Sequence, residues 1–100
     1  MQIIATPTGT KRITLDTAAL LAILHQARTH HEGDMGAACA AIIESTRSAL
    51  RDTRRSIRRT KSFRLREYME QRCRRLLNSN RRVRRLAKQY GWTIPERSGA

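Results

Sequence analysis

With 100 residues the chain has room for one domain with a modest core, which excludes a catalytic cleft set between two lobes. Its formal net charge of +13 is confined to its second half. Lys11, Arg12, Arg28 and Arg47 balance Asp16, Glu32, Asp34 and Glu44 in the first fifty residues, whereas the last fifty set a dense array of arginines against only Asp52, Glu67, Glu70 and Glu96. Self-repulsion at that density costs folding free energy, so the composition argues against charge serving solubility alone and for a polyanion or acidic partner.

In chain order, residues 2–6 and 11–15 are β-branched segments separated by Pro7, Thr8, Gly9 and Thr10, which predicts a short N-terminal β-hairpin over 1–15. Such a hairpin is marginal alone and has to pack on helices or pair with a second copy. Asp16 is the expected N-cap of a helix over 16–32. Leu20, Leu21, Ile23 and Leu24 occupy more than one of its faces, which predicts burial between other elements. Gly33 supplies a stop and Asp34 the next cap.

A second helix is predicted over 35–59, where Met35, Cys39, Ile42, Ile43, Thr46, Leu50, Thr53 and Ile57 recur at three and four residues. Arg51, Arg54, Arg55, Arg58 and Arg59 fall opposite that apolar stripe as a cationic ridge. Thr60, Lys61 and Ser62 are weaker helix formers and predict a break near Ser62, after which a basic helical region runs over 63–90. Asn78, Ser79 and Asn80 mark a second candidate interruption, and Gly91 the helix end before a tail over 91–100. The fold class is therefore mainly α, a small helical bundle or helical hairpin with the N-terminal β-hairpin attached, all in one domain. The core closes either within one chain or across a homodimer.

Cys39 and Cys73 stand far apart without CxxC spacing and read as buried thiols in a reducing compartment. The N-terminus lacks the order of a signal peptide, and the longest apolar run, residues 18–24, is well short of a bilayer span, so the expected location is the cytoplasm, of a host cell if a phage encodes the chain. A basic amphipathic helix also suits anionic lipid, but the Leu and aromatic content here is needed for the core, and no membrane partner is expected.

The arginine doublets carry the functional signal. Arg54–Arg55, Arg58–Arg59, Arg74–Arg75, Arg81–Arg82 and Arg84–Arg85, together with Arg51, populate one helical side and its flank, mostly without a nearby carboxylate. Glu67 and Glu70 are spaced to hold Arg64, Arg66 and Arg74 in intrahelical pairs. A guanidinium offers phosphate or carboxylate two parallel hydrogen bonds, and a GC-rich genome accounts equally for so much arginine. With only Phe63, Tyr68, Tyr90 and Trp92 as aromatics, base stacking is not the main binding term.

His25, His30, His31, Glu32 and Asp34 crowd the first interhelical turn without the i,i+4 spacing of a metal site, and read as a solvated helix end. No nucleophile, acid–base pair, glycine-rich phosphate loop or paired-Cys motif stands out, so neither an enzyme nor a cofactor is expected. Residues 83–94 resemble the first helix and turn of a helix-turn-helix DNA-binding motif. Ala87 takes the small position, Gly91 the turn, and Leu86, Tyr90 and Trp92 the apolar positions. The resemblance implies a recognition helix over Pro95, Glu96, Arg97, Ser98, Gly99 and Ala100, where Arg97 replaces the apolar anchor and the sequence ends.

Two functions follow as expectations. One is a nucleic-acid-binding accessory or regulatory protein that holds a DNA or RNA backbone through its arginines. The other is a small inhibitor or adaptor, of the kind phages and mobile elements encode, docking the same arginines on an acidic protein partner.

Overall fold

The computed structural model describes residues 14–95, which form three helices: α1 (Leu15–His30), α2 (Met35–Arg59) and α3 (Phe63–Tyr90). Each begins on a side-chain cap that satisfies an otherwise orphaned backbone N–H. The Thr14 hydroxyl accepts from the Thr17 amide at 3.0 Å, the Asp34 carboxylate from Ala37 at 3.0 Å, and the Ser62 hydroxyl from Leu65 at 3.2 Å. The first of these corrects the sequence expectation. Thr14, not Asp16, is the cap, because helical geometry already begins at Leu15 and leaves Asp16 in the first turn.

The same boundary shortens the expected hairpin. Residue 15 is helical and residues 1–13 lie outside the described part, so the hairpin falls almost wholly there; among the described residues there is no strand.

The helices end as their residues dictate. After His31, Glu32 and Gly33 adopt positive φ, and the Gly33 amide returns to the Ala27 carbonyl at 2.9 Å. The break near Ser62 is present: α2 stops with Thr60 extended, and three residues later α3 starts. Asn78, Ser79 and Asn80 make no interruption. The Asn80 side-chain Oδ1 accepts from Arg84 Nε at 2.8 Å one turn on, and Val83, Leu86 and Ala87 beyond it are buried, so packing overrides weak local propensity. Gly91, in the left-handed region at φ 76°, closes α3, and the Trp92 amide returns to Ala87 at 2.8 Å.

One core cluster draws on all three helices: Ile23 and Ala27 from α1, Ala38, Cys39 and Ile43 from α2, and Val83, Leu86 and Ala87 from α3. Trp92 and Ile94 fold back against it. Gly36, in the first turn of α2, is where this strap passes closest, since a Cβ there would collide with the Thr93 carbonyl.

The expected burial of α1 on several faces is not what forms. Only Ile23 and Ala27 are buried, while Leu15 is 67% exposed and Leu21 53%. A 16-residue helix reaches roughly 24 Å at 1.5 Å per residue, against roughly 37 Å for the 25 residues of α2 and roughly 42 Å for the 28 of α3. The longer pair therefore outruns α1. Away from the main core the α2–α3 hairpin buries chiefly Thr46, Leu50, Thr53 and Cys73. The two threonines satisfy themselves within α2, donating to the Ile42 and Ala49 carbonyls at 2.8 and 2.7 Å.

Candidate functional site

The outer half of α2 organises the arginines. Arg47, Arg51, Arg54 and Arg58 follow one another at four, three and four residues, so at 100° per residue they share an arc of roughly 60° and span roughly 16 Å of axis. Together with Leu50 they line one open groove of about 410 Å³. Leu50 is 9% exposed and belongs to the buried side, whereas the four arginines are exposed. None of the four makes an ion pair or side-chain hydrogen bond with another described residue.

The ridge expected from sequence thus divides. Arg51, Arg54 and Arg58 join Arg47 in the groove, while Arg55 and Arg59 project further round the helix, with Arg55 Nη1 4.0 Å from the Asp52 carboxylate. Arg47 was missed by the doublet pattern. Its signal was present in the spacing, since it precedes Arg51 by one turn and Arg58 by three.

The expected site residues on α3 fare unequally. Arg74, Arg75, Arg81 and Arg84 are exposed, and Arg84 is tied only to Asn80. Arg82 and Arg85 are drawn instead into the seam with α1. Arg82 Nε lies 3.4 Å from Asp16 Oδ1, and Arg85 Nη2 donates to the same oxygen. Arg82 is the more enclosed, with 20% of its side chain exposed. These two cations are partly neutralised at the α1–α3 seam, Arg85 with 58% of its side chain still exposed.

The intrahelical pairs expected of Glu67 and Glu70 do not form among the described residues. Arg66 turns the other way and donates to the Thr60 carbonyl at 3.2 Å across the interhelical break. The arginines of the hairpin therefore meet less internal compensation than their sequence neighbours suggested.

At the first turn, His31 Nε2 lies 3.4 Å from the Gln26 amide nitrogen and the His30 and His31 rings meet edge-on. Among the described residues no three His, Cys, Asp or Glu side chains converge as metal ligands. Cys39 and Cys73 are free and buried, and burial pushes the Cys39 thiol pKa up. No helix of the described residues is long and apolar enough to cross a membrane.

In the segment resembling a helix-turn-helix, residues 83–90 complete α3 and residues 92–95 run on without helix. Trp92 stacks on Tyr90 with ring centroids 5.1 Å apart. Residues 96–100, where a second helix would have to form, lie outside the described part. No family model, curated protein or solved structure matches the chain.

Proposed function

We propose that this protein binds the phosphate backbone of nucleic acid, acting as an accessory or regulatory factor, and that the α2 groove is its principal contact. The observation that carries this reading is the row of Arg47, Arg51, Arg54 and Arg58, four guanidiniums on one helix face with no carboxylate partner among the described residues. A guanidinium grips phosphate with two parallel hydrogen bonds, and a row roughly 16 Å long meets several phosphates of a strand at once. Arg74, Arg75, Arg81 and Arg84 extend the positive field along α3. Backbone contacts of this kind carry affinity rather than sequence choice.

The test is binding of labelled nucleic acid, by anisotropy, across a salt series. The native protein should show affinity falling with salt at a slope of about −0.9 per neutralised phosphate on duplex DNA, or about −0.7 on single strands. Reversing Arg51, Arg54 and Arg58 to Glu should abolish binding while helicity is retained. Undiminished binding by that variant would remove the groove from the account. A nuclease-resistant acidic protein recovered with the native chain, with no affinity for nucleic acid at low salt, would replace this reading with the adaptor one.

A further inference from the structure

We propose that the nucleic acid taken is single-stranded and that a base stacks on Tyr68, in a second cationic stripe on α3; this rests on the backbone-binding reading above. Three observations converge on the stripe. First, Tyr68 is 56% exposed, and Leu65 one turn before it is 44% exposed. A large amphipathic ring left in water and outside the core cluster is surface the fold does not use.

Second, Arg64 and Arg72 bracket Tyr68 at four residues on either side, and Arg75 follows at seven. At 100° per residue the four side chains share an arc of roughly 80°. All four are exposed, and none of the three arginines pairs with a described residue.

Third, the acidic residues of α3 keep clear of this arc. Glu67 and Glu70 lie roughly 60° or more outside it, on the side where Phe63 projects. Charge then selects the occupant. A second copy would set arginine against arginine, and one tyrosine with one leucine offers too little apolar area to seat a lipid surface. A polyanion carrying flat apolar faces satisfies both the cations and the ring. Paired and stacked bases in a duplex cannot present those faces, whereas an unpaired strand can.

Of the remaining aromatics, Trp92 and Tyr90 are committed to one another, with Trp92 packed on the core. Tyr68 is therefore a single stacking point within a mainly electrostatic interface, in keeping with the small aromatic content.

The test compares labelled oligo(U), oligo(dT) and a mixed-sequence duplex of equal length, with native protein and with Tyr68→Ala, Tyr68→Phe and Phe63→Ala. The native chain should prefer both strands to the duplex. Tyr68→Ala should weaken strand binding about 5- to 150-fold, the range that alanine substitution of a stacking aromatic gives, on both sugars alike. Its duplex affinity and salt slope should stay unchanged, because no cation is lost. Tyr68→Phe should bind as the native chain does, and Phe63→Ala should be silent. Helicity and Trp92 emission report that each variant is folded.

Native preference for duplex, or strand binding by Tyr68→Ala equal to native, overturns the stacking proposal and leaves backbone binding standing. Absence of any binding to strand or duplex at low salt overturns both.

Discussion

Replacing Gly36 with alanine adds a single methyl at the point where the C-terminal strap crosses α2, and its sign is diagnostic. On an ordinary helix the change is favourable by up to about 1 kcal/mol, since alanine loses less backbone entropy. Here the new Cβ would collide with the Thr93 carbonyl, a backbone atom with no rotamer to change.

Two responses are open. The strap stays and is strained, at a cost of about 1–3 kcal/mol for overpacking. Otherwise it lifts, and Trp92 and Ile94, both half-buried against the core, lose roughly half of the 1.5–3 kcal/mol that full burial of a large apolar side chain is worth, each. Either route costs about 2 kcal/mol, and the propensity gain leaves a net loss of about 1–2 kcal/mol. For a domain of this size that lowers the Tm by about 4–15 °C. Thermal melts by circular dichroism, with Trp92 emission followed in parallel, measure both parts, and emission should shift to the red. In a Trp92→Ala, Ile94→Ala background the same substitution should cost less, because the strap has less to hold it. A Gly36→Ala protein as stable as the native one or more so, with unshifted emission, would show that the strap does not lie across α2.

Two further outcomes follow from the seams and the core. Asp16→Asn should lower stability by less than about 1 kcal/mol, as expected of pairs this open to water, and the difference should shrink as salt screens the pair; an equal Tm at low salt would detach Arg82 and Arg85 from the α1–α3 seam. Cys39 holds its proton more tightly folded than unfolded because burial raises its pKa. The unfolded chain therefore releases that proton first, and chemical denaturation should show stability falling as pH rises above about 8.5, where an exposed thiol ionises. Stability that rose over the same interval would contradict the buried thiol.

Much of the helical plan was legible because it is written in local chemistry. Thr60, Lys61 and Ser62 interrupt a strong periodic pattern, and Gly91 supplies a conformation few other residues tolerate. Asn78, Ser79 and Asn80 carry similar local signals, yet the helix runs through them because the burial of Val83, Leu86 and Ala87 one turn on decides the matter. Thr14 and Asp16 are both good caps two residues apart; the helix starts at Leu15, which gives the cap to Thr14 and leaves Asp16 in the first turn, where it meets Arg82 and Arg85. The exposure of Leu21 was hidden because periodicity tells which faces are apolar but not which of them is covered; Leu21 lies roughly 160° round α1 from Ile23, on whose side the core closes. At the candidate site the sequence revealed the cationic side of α2 but not its division. Arg47 enters the groove by its turn-by-turn spacing, while Arg55 stands roughly 40° beyond that arc, on the side of Asp52.

The outer reach of the α2–α3 hairpin is stitched by small and polar residues, Thr46, Thr53 and Cys73 beside Leu50, while it bears the densest positive charge. Few large apolar side chains close that end and its cations repel one another, and both lower the cost of opening it locally. On the proposed reading, a polyanion laid along it would act as a brace, relieving the repulsion between the two rods, and occupancy would tighten the residues that contact it.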